Sequence, residues 1–142
     1  MKTNTFLLIF LTAFAGVFAL SANAAEKGSA PAVISQGAKI KLADYLVPGK
    51  TTVFDFTSKY CPPCVRISPR LDKLHAQRDD IVVVKVDINR SGIKGIDWKS
   101  PVAQQYALKS IPHFKIYGAN GKLIAEDRKA SEMVYKWLND LK

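Results

Sequence analysis

Asp55-Phe56-Thr57-Ser58-Lys59-Tyr60-Cys61-Pro62-Pro63-Cys64 decides how this chain is read. Its opening residues close the β-branched and aromatic run Thr51 to Thr57, which predicts a strand. Its last four residues hold the only two cysteines of the chain, two residues apart. From Cys61 to about Gln77, Ile67, Leu71 and Leu74 recur at helical spacing, so the pair opens a helix just after a strand. A bridge that stabilises a fold is expected to close a long loop, because a short one removes little unfolded-state entropy. A zinc site needs about four ligands, and two thiols with the scattered His75 and His113 do not supply them. The spacing therefore points first to a redox-active dithiol, with an inert pair or a metal site as the competing readings.

The elements on either side alternate. Lys39 to Leu42 reads as a short edge strand, followed by a helical turn through Tyr45 and a stop at Pro48-Gly49. Ile81 to Asp87 is nearly all valine, as in a parallel strand buried on both faces. Pro101 to Leu108 predicts a helix, and His113 to Tyr117 with Lys122 to Glu126 a hairpin across Gly118-Ala119-Asn120-Gly121. Met133, Val134, Trp137, Leu138 and Leu141 make one apolar stripe on a closing helix. The order implies an α/β domain, a central mixed sheet with helices on both faces.

The N-terminus reads as an export signal. Lys2 heads an apolar run from Phe6 to Leu20, and Ala22-Asn23-Ala24 has the small-x-small pattern of a cleavage site. The run is shorter than the roughly 18–20 residues that span a bilayer. Residues 1–24 are thus expected to be a cleaved signal peptide, with no stable membrane insertion afterwards and a periplasmic or otherwise exported destination. An uncleaved anchor is the alternative. Residues 25–37 read as a flexible lead-in, and 38–142 as one compact domain. The formal net charge is +9, but Lys and Arg are dispersed and an exported protein rarely meets nucleic acid, so no nucleic-acid partner is expected.

Two polar residues fall where the sheet should be driest. Asp55 shares a strand face with Val53, and Lys85 interrupts Val82-Val83-Val84-Lys85-Val86. Isolated charges are costly to bury. Either both sit at edges and reach water, or Asp55 is a partly buried acid near the dithiol with Lys85 as its electrostatic neighbour. In the second case Asp55 can exchange a proton with the inner cysteine.

Together with Pro69, Lys85, Ile111-Pro112 and Gly121, the ten residues resemble the thioredoxin family over roughly residues 38–142. Four features match: an Asp six residues before the first cysteine, an aromatic residue just before it, a Pro five after the second, and an Ile-Pro bond before the hairpin. The resemblance implies a thioredoxin-like fold and a thiol–disulfide oxidoreductase needing no cofactor or metal. It makes Cys61 the exposed nucleophile, Cys64 the buried resolving thiol and Asp55 the proton-handling acid, with Lys85 and a cis-Pro112 completing the catalytic set. It also implies that Tyr60, Pro62, Pro63, Ile111 and Pro112 face protein disulfide substrates.

The sequence departs from the family at several positions. Thr57 stands where cytoplasmic members usually carry Trp, and Tyr60 replaces a Trp beside the first cysteine. Asn89 to Ser100 is longer than in the minimal fold and carries Trp98, either as a packed anchor or as a partner contact. His113 either faces the dithiol or points elsewhere. Pro62 and Pro63 lack N–H groups, and no His lies between the cysteines as it does in strongly oxidising DsbA-type proteins. A poorly stabilised thiolate means a low reduction potential. The expected role is a protein-disulfide reductase supplied by a membrane electron-transfer partner. A dithiol oxidase or isomerase of the same fold, or a Cu(I)-binding module, is the alternative.

Overall fold

The computed structural model describes residues 26–142, so the expected signal peptide lies outside the described residues. Five strands form one sheet in the order β1-β3-β2-β4-β5. They are β1 (Ala32–Ile34), β2 (Thr51–Thr57), β3 (Ile81–Asp87), β4 (His113–Tyr117) and β5 (Leu123–Glu126). β1 and β2 run parallel to β3, whereas β4 is antiparallel to both β2 and β5, so the sheet is mixed as expected. Helices α1 (Pro62–Gln77), α2 (Pro101–Gln105) and α3 (Asp127–Asn139) complete the fold.

Strand alternation builds two cores. Val53, Ile81 and Val83 pack with Ile67, Leu71 and Leu74 of α1 and with Ala130, Val134 and Leu138 of α3. Phe54, Phe56, Val82, Val84 and Val86 face the other way, toward Leu42, Val102 and Ile88. The apolar stripe of the closing helix behaves as read, with Met133, Trp137 and Leu141 packed against the first core. Among the described residues, no helix is long and apolar enough to cross a membrane.

Three expectations are corrected. The edge strand is Ala32–Ile34 rather than Lys39 to Leu42, and the chain turns through a short 3-10 helix at Leu42–Tyr45. The strand therefore lies inside the stretch read as a flexible lead-in. That stretch is tied down: Lys27 Nζ donates to the Arg78 carbonyl (2.8 Å), and His75 Nε2 lies 2.9 Å from the Gly28 carbonyl. The buried His75 also accepts the Val83 N–H through Nδ1 (3.1 Å), so one side chain joins α1, β3 and the lead-in. The third correction is α2, which ends at Gln105 and not at Leu108. Ala107 adopts a left-handed conformation (φ 49°), and the N–H groups of Ala107 and Leu108 return to Gln104 (3.2 Å) and Ala103 (3.0 Å). This is a Schellman closure, here made without glycine.

Candidate active site

Cys61 caps α1. Its extended backbone (φ −106°, ψ 104°) precedes Pro62 and Pro63 at the first helical positions, where a missing N–H costs no intrahelical bond. Cys64 follows one turn in, and the two sulfurs form a disulfide. The first N–H that α1 presents to Cys61 is that of Cys64, whose nitrogen lies 3.2 Å from Cys61 Sγ. On the other side, the Ile111 carbonyl oxygen is 3.6 Å from the same sulfur, and the Ile111–Pro112 bond is cis. Pro69 sits inside α1 and removes one further ladder N–H.

The geometry corrects one reading of the pair. Cys61 is only 2% exposed and Cys64 1%, so exposure does not separate them in the disulfide state. Tyr60 and the Ile111 backbone flank Cys61, while exposed Pro62, Pro63 and Tyr60 form the surface around it. Lys59 Nζ stands 5.2 Å from the Tyr60 ring centroid, a cation–π contact.

Asp55 lies in β2, the central strand, and is fully buried, which removes the edge alternative. Both of its carboxylate oxygens lack a hydrogen-bond partner among the described residues. Desolvation pushes its pKa from 3.8 up to about 7; Lys85 pulls the other way and Asp72 adds to the rise. Lys85 is Asp55's direct neighbour in the β2–β3 register. Its ammonium, however, turns to α1, where it meets Asp72 Oδ1 at 2.5 Å and Ser68 Oγ at 2.6 Å. Lys85 therefore acts on Asp55 through space and not by a hydrogen bond. Sequence reading missed Asp72 and Ser68, although Cys64, Ser68 and Asp72 recur every four residues and so share one face of α1.

The long segment after β3 is wired to the turn that carries Cys61. The buried Ser58 hydroxyl donates to Asn89 Oδ1 (2.6 Å) and accepts the Tyr60 N–H (3.1 Å). Asn89 Nδ2 donates to the Gly95 carbonyl (2.6 Å), and Arg90 Nε donates to Asp97 Oδ2 (2.7 Å) within the same segment. Asn89 and Ser58 are thus positioning residues that the sequence did not single out. Trp98 is partly exposed and its carbonyl accepts from Gln104 (2.7 Å). His113 points away, onto Phe56 (centroids 5.7 Å apart) and toward Asp127 Oδ1 (3.5 Å); burial lowers its pKa, opposed by Asp127. Among the described residues, no group of three or more His, Cys, Asp or Glu side chains is placed to hold a metal ion.

Comparison with known proteins agrees with this arrangement. The Thioredoxin family pattern matches residues 39–139. The thioredoxin of Geodia cydonium is 30% identical over 77 residues, covering 54% of this chain and 64% of its own length. The chloroplastic thioredoxin F-type of Pisum sativum is 36% identical over 77 residues, covering 54% of this chain and 38% of its own. The chain thus spans about two-fifths to two-thirds of the length of these relatives. The crystal structure of thioredoxin f from spinach chloroplast (short form) superposes with a TM-score of 0.53 at 19% identity, covering 80% of this chain and 95% of that one, which shows the fold. With a CxxC pair capping α1, a cis-proline beside it and the family pattern running through both, this chain belongs to the thioredoxin family.

Proposed function

We propose that this chain is an exported protein-disulfide reductase. The Cys61 thiolate attacks a client disulfide, forming a mixed disulfide and releasing one client thiolate. The Cys64 thiolate then attacks the Cys61 sulfur, which closes the Cys61–Cys64 disulfide and releases the second. Two electrons pass to the client, and a membrane electron-transfer partner restores them. Asp55 takes the proton that Cys64 gives up, a task suited to a buried carboxyl with a pKa of about 7. Tyr60, Pro62, Pro63, Ile111 and Pro112 meet the client. The Ile111 backbone beside Cys61 offers a client strand its pairing groups.

The surroundings of the Cys61 sulfur support this direction of electron flow. Among the described residues one N–H reaches it, and a carbonyl oxygen faces it at 3.6 Å, where its partial negative charge opposes a thiolate. A thiolate so poorly supported leaves the reduced form unfavoured and the potential low. Titration of thiolate absorbance is expected to place the Cys61 pKa near or above about 7, and equilibration with glutathione to give a potential on the thioredoxin side, about −270 mV. A Cys61 pKa below about 5 puts the oxidase reading first. Roles follow from position: Cys61 holds the N-cap and receives the Cys64 N–H, so on reduction it is expected to alkylate far faster than Cys64. Export rests on the pattern of residues 1–24. A mature chain beginning at Ala25 in an exported fraction supports it, and an intact N-terminus in the cytoplasm removes it.

A further inference from the structure

Behind the dithiol, between β1, the first turns of α1 and the loop after β2, lies an open cavity of about 380 Å³. Val33, Cys64, Val65 and Pro69 make most of its exposed lining apolar, and the charged Lys59, Lys85 and Asp87 also border it, beside Thr57. That volume falls in the range of sites that take small organic groups. Thr57, the small residue at the end of β2, helps leave the space open. Val33 and Val65 are 61% and 54% exposed, the two most exposed large apolar side chains among the described residues. Both line this one cavity. Apolar surface concentrated around a concavity marks a binding site more than a lone exposed valine does.

We propose that the cavity seats one apolar side chain, aliphatic or aromatic, of the client polypeptide whose disulfide is held at Cys61. The proposal rests on the reductase reading above. Its occupant is argued from continuity: Cys64 forms part of the wall and its Cα lies 5.3 Å from that of Cys61, so a chain tethered to Cys61 is within a few residues of the cavity. An extended chain advances about 3.3 Å per residue, which brings a side chain two or three positions from the client cysteine within reach. The site selects clients by an apolar residue near the reducible cysteine.

The test uses the full chain and a series of short peptide disulfides. The peptides are identical except that Ser, Leu or Phe stands at each of the three positions on either side of one cysteine. Reduction of hydroxyethyl disulfide, which has no side chain to seat, serves as the reference. At one position Leu or Phe is expected to lower KM on the order of ten-fold relative to Ser, the scale of burying one large apolar side chain. That preference should collapse in Thr57→Trp, which fills the cavity, and in Val65→Glu, a surface change at its mouth that leaves the core intact. Methyl resonances of Val33 and Val65 should shift when an apolar peptide with Ser in place of Cys is added to the oxidised protein. A flat peptide series, a preference that survives both variants, or shifts confined to other methyls overturns the proposal. Methyl shifts that track protein concentration without peptide assign the cavity to a second copy of this chain and overturn it as well. Failure to reduce hydroxyethyl disulfide removes the reductase reading and this proposal with it. Reduction of that reagent with a flat peptide series removes this proposal alone.

Discussion

Asp55→Asn separates the electrostatic cost of the central acid from every other term. In the folded chain burial pushes the Asp55 carboxyl from 3.8 up to about 7. Folding therefore favours the protonated acid by about three pH units, each about 1.4 kcal/mol. The sign follows from linkage. Below about pH 4 both folded and unfolded chains hold the proton, and Asp55 adds no pH dependence. As pH rises to about 7 the unfolded chain releases it first, so the folded state binds more protons and loses stability. Above about pH 7 the loss is complete, at about 4 kcal/mol. The Asp55→Asn variant has no such titration. Its own packing and its unpaired amide add an offset that does not change with pH. The stability difference between the variant and wild type is therefore expected to grow by about 4 kcal/mol from about pH 4 to about pH 8. Urea unfolding of the oxidised proteins reads this directly, since the bridged thiols do not titrate. A difference that stays constant to within about 1 kcal/mol across that range refutes the buried, unpartnered acid. In the reduced protein, on the proposed function, the same substitution is expected to slow resolution of the mixed disulfide by on the order of ten-fold at neutral pH.

Asn89→Ala strips the Ser58 hydroxyl and the Gly95 carbonyl of their partner, and is expected to cost about 1–3 kcal/mol in urea unfolding. An unchanged unfolding midpoint would show that the tether contributes nothing. Gly37→Ala places a Cβ 2.5 Å from Arg90 Cγ and 2.7 Å from the Arg90 nitrogen, at a φ of +83°. Gly92→Ala meets nothing within 4 Å at a similar φ of +79°, so it reports the backbone strain alone, about 1 kcal/mol. Thermal unfolding should show Gly37→Ala clearly below Gly92→Ala; equal midpoints would mean the contact with Arg90 yields freely. Asp72→Asn removes the ion-pair partner of Lys85 and one of the charges that raise Asp55. Carboxyl NMR is expected to show Asp55 titrating lower in that variant, and an unmoved titration would count against the coupling.

What could be read from the chain and what could not divide along the range of the interactions. The dithiol spacing and the helix it opens follow from local pattern, since helical spacing places Ile67, Leu71 and Leu74 together; strand alternation places Asp55 with Val53 but leaves edge and interior open, and the central position of β2 decides for burial. β1 escaped notice because it is only three residues long and Val33 faces solvent, so no alternation marks it. Its place is set by pairing with β3 and by His75, a helix residue more than forty positions away. α2 ends short of the expected Leu108 because Ala107 occupies the left-handed position that glycine usually signals. The Ile111 carbonyl reaches Cys61 from fifty residues along the chain, and nothing in the residues around Cys61 announces that contact.

The pairing of Lys85 shows how the fold keeps its central acid available. A lysine beside Asp55 in the register would, with its ammonium turned inward, hold the carboxylate charged and well below neutral pH. α1 offers that ammonium a better site, because Asp72 and the Ser68 hydroxyl lie where the chain from β3 reaches the half-exposed end of the helix face. An ion pair near solvent keeps part of its hydration, whereas one formed at Asp55 would strand both charges in the sheet. The lysine so placed lowers the Asp55 pKa only in part, and Asp72 opposes it. The result is an acid poised near neutrality at a cost of about 4 kcal/mol to the folded state when ionised. A residue kept for packing alone would not sustain that cost, since an apolar side chain of similar size removes it. The cost is intelligible if the proton is the reason Asp55 is there, and that links the stability measurement on Asp55→Asn to the rate of mixed-disulfide resolution. The stability difference should level off near the pH, about 7, at which the rate has its midpoint, and a plateau at a clearly different pH would separate the buried acid from the chemistry.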